Sequence, residues 1–481
     1  MLSRKTICHV AAAALLFISG CGAAGQEQTA AAPEQTPVES QETSAKASTE
    51  APVVETAAVE EASAAVSSED ETSVVSENET SVSSEASTEA EGTSEPEATL
   101  EKAASDATEE GGIVIPELTV QMRNLPATEG LQFVRDLRIG WNLGNTLDAH
   151  GDWYKGDELG TETIWQPDLT TRALFHEMKE AGFSTIRVPV TWHGHFTDED
   201  YTISEAWMNR VDEVVHYGLD EGLYVIINIH HDNDPESGCL YPDEAHRAQS
   251  IHYVERIWTQ VAERFADCDE HLIFEAMNEP RLVGTSVEWN LDTKQASCRE
   301  AVDVINALNQ RFVDVVRASG GNNATRWLTC PGYAASVNGV ICDEFKLPDD
   351  PAGRVILEVH AYTPYAFALD QNGTDHIDIR SKEDMADLTW TLDTLYNRFT
   401  SKGIPVLIDE FGALIKGDNL QDRVDFTAYY IARARARGIS CCWWDNNAFD
   451  GDGEKFGLIH RNDCTWVFPE IRDALMRYAD A

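Results

Sequence analysis

Two carboxylates stand in settings that suit chemistry rather than surface charge: Glu279 in Asn278-Glu279-Pro280 and Glu410 in Asp409-Glu410-Phe411-Gly412. Four further polar groups each close a short apolar run: Arg187 ahead of Pro189, His230-His231-Asp232, His360-Ala361-Tyr362 and Trp443-Trp444-Asp445-Asn446. One carboxyl that donates a proton and a second that attacks or stabilises the anomeric carbon are what cleavage of a glycosidic bond requires. Arg187 is suited to orienting Glu410, and Tyr362 to donating a hydrogen bond to it. Asn278 suits a sugar 2-hydroxyl, an interaction that strengthens in an oxocarbenium-like transition state. Trp444 offers a flat face for a pyranose ring, and Trp153, Trp165, Trp192 and Trp289 are candidate outer platforms. The neighbouring carboxylate is expected to raise the pKa of Glu279.

The paired histidines also invite a metal reading. Adjacent residues on a strand point to opposite faces, so His230 and His231 are not expected to share one ion. No third ligand at a suitable spacing is evident, and both histidines are read as scaffold and substrate-hydroxyl contacts, with no metal and no cofactor. Asp450-Gly451-Asp452-Gly453 begins like a calcium loop but lacks its later ligands and closing Glu, so a plain turn is expected.

These groups need a frame that brings them to one place. From about residue 113, short runs rich in Val, Ile and Leu recur at Ile139–Asn145, Thr185–Val190, Tyr224–His231, Leu272–Glu279, Trp327–Gly332, Val355–Tyr362, Pro405–Gly412 and Ile439–Asp445. Amphipathic helical patterns separate most of them, at Thr170–Ala181, Glu205–Glu221, His246–Phe265, Gln295–Arg317, Lys382–Lys402 and Gln421–Arg437. Gly182, Gly222, Gly403 and Gly438 follow helices as stop signals. Near-continuous apolar strands alternating with helices indicate a parallel sheet covered on its outside. Eight units predict a closed (β/α)8 barrel of the α/β class rather than an open sheet. No glycine-rich phosphate loop opens any helix, which disfavours a nucleotide-binding sheet. In a barrel the strand ends converge on one rim, the rim where active sites of this architecture sit.

The ordered set Ile139-Gly140-Trp141-Asn142-Leu143-Gly144-Asn145, Arg187-Val188-Pro189, Asn228-Ile229-His230-His231, Asn278-Glu279-Pro280, His360-Ala361-Tyr362, Asp409-Glu410-Phe411-Gly412 and Trp443-Trp444-Asp445-Asn446 resembles family five of the glycoside hydrolases. Thr161-Glu162-Thr163-Ile164-Trp165, Pro167, Thr170-Thr171 and Phe456-Gly457-Leu458-Ile459 resemble its bacterial endoglucanase and xyloglucanase subgroup. One departure is local: Gln166-Pro167 follows Trp165 where the subgroup more often has Gly-Asn-Pro. The resemblance implies a retaining barrel enzyme with Glu279 as acid/base and Glu410 as nucleophile. It places Arg187, His230, Asn278, His360, Tyr362 and Trp444 around the −1 subsite; Asn145, Trp165 and His231 join them as substrate-binding candidates. The implied activity is an endo-β-1,4-glucanase on cellulose, mixed-linkage glucan or xyloglucan. An endo-β-1,4-mannanase is the alternative enzyme, and a surface glycan-binding lipoprotein the alternative without catalysis; the intact carboxyl pair argues against the latter.

Ahead of the barrel the composition changes. Arg4 and Lys5 precede the short apolar run Val10–Ile18, too short to span a bilayer comfortably. Ile18-Ser19-Gly20-Cys21 resembles a bacterial lipobox, which implies cleavage after residue 20, lipidation of Cys21 and export to the cell envelope. Residues 21–112 are an Ala/Glu/Ser/Thr-rich stretch, with 22 acidic residues against Lys46 and Lys102 over 26–110 and no aromatic residue there. Such a chain buries too little apolar surface to offset its ordering entropy, so a disordered tether is expected, with the catalytic barrel over 113–481. The net charge of −47, from 83 acidic and 36 basic residues, excludes nucleic acid as a partner by charge. The expected partners are a β-glucan polysaccharide and, through Cys21, the membrane; a monomer is expected. Ten cysteines show no metal-like spacing, and their pairing is left open.

Overall fold

The computed structural model describes residues 112–151, 153–235 and 237–481. The expected signal segment, Cys21 and the tether lie outside the described residues. Among the described residues eight strands close a parallel barrel in chain order: β1 Ile139–Leu143, β2 Thr185–Val188, β3 Tyr224–Asn228, β4 Leu272–Glu275, β5 Leu328–Pro331, β6 Val355–His360, β7 Val406–Phe411 and β8 Ile439–Asp445. β8 returns to β1 in parallel register, with Asn142 beside Trp444, so no edge is left open.

Helices cover the outside: α1 Glu129–Asp136, α2 Arg172–Glu180, α3 Glu205–Asp220, α4 Arg247–Arg264, α5 Ala296–Ala318, α6 Val337–Ile341, α7 Tyr365–Ala368, α8 Ala386–Arg398, α9 Leu420–Arg435 and α10 Pro469–Arg477. Their apolar stripes meet the outward strand residues in one continuous core. The expected stop signals are real turns: Gly182, Gly222, Gly403 and Gly438 all have positive φ, from 69° to 100°, which an L side chain rarely adopts. The unit after β5 has only the five-residue α6.

The inward side chains form two layers. The lower consists of Ile226, Ile273, Ile356, Leu407 and Cys442 and is plugged from below by Phe133, Val134 and Leu137 of the α1 segment and by Trp327. Thr128 caps α1, its hydroxyl accepting from the Leu131 N–H, and Phe133 stacks on Trp327 with ring centroids 4.5 Å apart. Two residues further along β3, β4, β6 and β7 the inward positions turn polar, at Asn228, Glu275, Glu358 and Asp409; Asn142 of β1 and Arg187 of β2 join them, and all six are fully buried. The site stands on this second layer. All eight cysteines of the described residues are free.

Candidate active site

Strand alternation alone would aim Asp409 inward and Glu410 outward. The register of β7 against its neighbours shifts between Ile408 and Phe411, and that of β6 shifts at Val359/His360, where His360 pairs with Glu410. These irregularities let both acids of β7 face the barrel, a common use of a bulge beside a site. Glu279 arrives differently. β4 ends at Glu275, and the chain runs on through Ala276, whose N–H bonds to Thr329, and Asn278, whose N–H bonds to Ile229.

The two carboxyls meet at His360. Its Nδ1 lies 2.8 Å from Glu279 Oε1 and 3.5 Å from Glu410 Oε2, and these three groups have atoms all within 4.8 Å of one another. Glu410 accepts from Arg187 at 2.7 Å on Oε1 and from the Tyr362 hydroxyl at 2.9 Å on Oε2, as the sequence suggested. Arg187 is fully buried and spends every face of its guanidinium: two 2.6 Å bonds to Glu275, one to Glu410, one to Asn278 Oδ1 at 2.7 Å and one to Asn142 at 3.0 Å. The bond to Asn278 fixes the amide, leaving Nδ2 as the donor for a ligand.

The expected rise of the Glu279 pKa is not what the site produces. Burial pushes it up, but the hydrogen bond and charge of His360, together with the Arg281 guanidinium 3.6 Å away, outweigh burial and hold it below the usual carboxylate range. The cation beside it, not the second acid, dominates. Burial alone would neutralise His360, but Glu410 and Glu279 lift it to about 9.

The expectation that His230 and His231 face apart also fails. β3 stops at Asn228, so strand alternation no longer applies, and the two rings sit 4.4 Å apart. The third member of the cluster is Asp148, from the loop after β1, whose Oδ2 is 3.8 Å from His231 Nε2. Asp148 is already committed to the N–H groups of Asn145 and Thr146. Asp232 faces elsewhere: it accepts from the N–H groups of Trp192 and His193 and from the Tyr253 hydroxyl. Burial drives His231 down to about 3 and His230 well below its ordinary value, so both are neutral donors or acceptors. Asn228 Nδ2 lies 3.0 Å from His230 Nδ1 and leaves Nε2 for a ligand.

Among the aromatic candidates, Trp444 lies parallel to the His230 ring at 5.9 Å, and Gly144 makes room for it, since a Cβ there would fall 2.6 Å from the indole. Trp165 packs against His231 and His150 at the rim. Trp153 and Trp289 are exposed, and Arg281 stacks over Trp289 at 3.9 Å. Trp192 is not a platform: it is fully buried, its indole N–H bonded to the Asn228 carbonyl. Asn145 sits in a left-handed turn at φ 57°, which an Asn tolerates. Gln166, at the local departure, is structural: it bridges Glu162, Asp168 and Asn447. Sequence reasoning passed over Asn142, Asp148, Glu275 and Arg281. Glu275 had a signal, a lone acid in the otherwise apolar Leu272–Met277 run. Asp148 had none, because only the fold carries it to the histidines.

A parallel barrel whose rim holds two carboxyls within 4.8 Å, flanked by Arg, His, Tyr and Trp, defines a carboxylate-pair glycoside hydrolase. Residues 147–450 match the family Cellulase (glycosyl hydrolase family 5), and the chain belongs to that family. It is 44% identical over 360 residues to cellulase/esterase CelE of Acetivibrio thermocellus, covering 74% of this chain but only 41% of that protein. It is 42% identical to endoglucanase B of Ruminococcus albus, over 74% of this chain and 82% of the relative. Among solved structures, a mutant glycoside hydrolase 5 lichenase from Caldicellulosiruptor sp. F32, in complex with cellotetraose, is 51% identical with a TM-score of 0.75, covering 76% of this chain and all of that one.

Proposed function

We propose that the protein is a retaining endo-β-1,4-glucanase that hydrolyses internal bonds of β-glucans by double displacement. The observation that carries this reading is the pair Glu279 and Glu410, with oxygens inside 4.8 Å, the short separation that suits a nucleophile rather than an intervening water. Glu410, held by Arg187, Tyr362 and His360, attacks the anomeric carbon while Glu279 protonates the departing oxygen. Glu279, deprotonated by that step, then activates water to release the glycosyl-enzyme. Asn278 Nδ2 and His230 Nε2 serve the sugar in the −1 subsite, and Trp444 is the face beneath it. The relatives named endoglucanase and lichenase support a glucan over a mannan. No step uses a cofactor.

We further infer that the barrel acts outside the cytoplasm as a monomer, carried by the expected lipid on Cys21 and the acidic segment 22–112. Metabolic labelling with an alkynyl fatty acid tests the anchor; loss of label in Cys21→Ala supports it, and unlabelled wild-type protein removes it.

The function is tested by a product profile on carboxymethyl cellulose, barley β-glucan, tamarind xyloglucan and glucomannan. Rapid viscosity loss with oligosaccharide release on the glucans is expected. Cleavage restricted to glucomannan would replace the reading by mannanase, and binding without cleavage by a glycan-binding protein.

A further inference from the structure

Two buried acids have no part in the reaction as written. Glu358 lies two residues before His360 on β6, and Asp409 directly before Glu410 on β7; both are fully buried. Glu358 Oε1, both oxygens of Asp409 and Nε2 of His360 are buried atoms with no hydrogen-bond partner. All three residues converge on one spot: Nε2 is 3.5 Å from Asp409 Oδ1 and 3.9 Å from Glu358 Oε1. Such groups are rarely left unpaired, so four at one point mark something shared among them.

The charges around the spot decide what is shared. Arg187 on β2 is the nearest fixed cation, 3.8 Å from Asp409 Oδ2, but its hydrogen bonds go to Glu275, Glu410, Asn142 and Asn278. Glu358 also faces Glu275 of β4, Asp409 of β7 and the Cys330 thiol and Thr329 hydroxyl of β5, the last at 3.1 Å. Asp409 faces Glu275 and Glu410, and the Cys441 and Cys442 thiols of β8. His360 faces Glu279 after β4, and Glu410, Asp409 and Glu358. Glu454, on the loop after β8, adds its charge near Glu279 and Glu410. Two ionised carboxylates without a dedicated cation do not both stay charged in such a place.

We propose that Glu358 and Asp409 hold one proton between them and, through His360, act as positioning residues for the carboxyl of Glu279. The inference rests on the acid/base reading of Glu279. One net negative charge behind Nε2 keeps the ring doubly protonated, so that Nδ1 can only donate to Glu279 Oε1. Whenever Glu279 carries the proton it transfers, that proton is thereby confined to Oε2. A neutral ring with its hydrogen on Nε2 would instead accept at Nδ1 and draw that proton away from the leaving oxygen. Burial is the largest push on both acids, lifting Asp409 to about 8 and Glu358 well above the usual carboxylate range, so the pair keeps a proton at neutral pH.

The test compares the full-length enzyme with Asp409→Asn, Glu358→Gln and the double variant. The measured quantity is the pH profile of kcat/KM on two aryl cellobiosides, one with a poor leaving group and one with a dinitrophenolate. In the double variant the alkaline limb for the poor leaving group is expected to fall by about one pH unit or more, because the negative charge that helps His360 and the Glu279 carboxyl beside it keep their protons is gone. The dinitrophenyl substrate, which needs no acid, should keep its alkaline limb. In wild-type enzyme at pH 7.5, 15N resonances should show both His360 nitrogens protonated. An alkaline limb that stays put in a folded double variant overturns the proposal. So does a neutral His360 in wild-type enzyme, a reading that needs no variant to fold, or a stoichiometric divalent ion at the spot in elemental analysis. The parent reading fails separately: a Glu279→Ala enzyme that loses equal activity on both substrates would remove the acid/base assignment whatever His360 shows.

Discussion

The barrel interior holds two layers, two residues apart where one strand supplies both, and both are buried. The lower is Ile226, Ile273, Ile356, Leu407 and Cys442 against the α1 plug. The upper holds Arg187, Glu275, Glu358, Asp409 and Asn142. The lower layer is stabilised by leaving water, at about 1.5–3 kcal/mol for each large apolar side chain. The upper layer gains nothing from leaving water and depends on Arg187, which bonds Glu275, Glu410, Asn142 and Asn278, while Asp409 and one oxygen of Glu358 are left without a hydrogen-bond partner. The difference shows where the fold spends stability on chemistry: a buried charged floor gives Glu410 its fixed donors and His360 its charge.

The comparison can be broken from either side. Glu410→Ala should lower kcat by roughly four orders of magnitude or more with little loss of thermal stability, and azide should restore turnover as a glycosyl azide of inverted configuration. An active Glu410→Ala enzyme would remove the nucleophile assignment. Arg187→Met should damage both properties, costing about 3–5 kcal/mol because Glu275 and Glu410 lose their cation inside the barrel, and abolishing measurable activity. Urea unfolding followed beside turnover checks it, and a stable variant would show that the upper layer does not depend on Arg187. Ile273→Ala should cost about 2–5 kcal/mol in the same unfolding experiment while kcat at low temperature stays within a few-fold of wild type. A large kcat loss there would mean that the lower layer also shapes the site. Trp289→Ala should be mildest, raising KM about three- to tenfold with kcat and stability nearly unchanged, as expected for an exposed platform.

Much of this was legible before any coordinates. The eight apolar runs match the eight strands because buried parallel strands need continuous Val, Ile and Leu, and the glycine stops match because the chain turns through a left-handed residue at those four positions. The ends of β3 and β4 lie three and four residues before the expected ones, so His230, His231, Asn278 and Glu279 lie past the last ladder residue. That overrun produced the wrong prediction for the histidine pair. Trp192 was misplaced for a related reason, since a tryptophan's type does not tell which way its ring points.

By itself, the sequence determined the barrel, its rim and the two carboxyls proposed to carry its chemistry, because periodicity, turn residues and residue types are local properties. Only the tertiary structure decided the direction of the Glu279 pKa shift, the union of Asp148 with the histidines and the convergence of Glu358, Asp409 and His360. Those depend on distances between side chains on different strands, and Coulomb energies and desolvation in a closed interior change with every ångström of them.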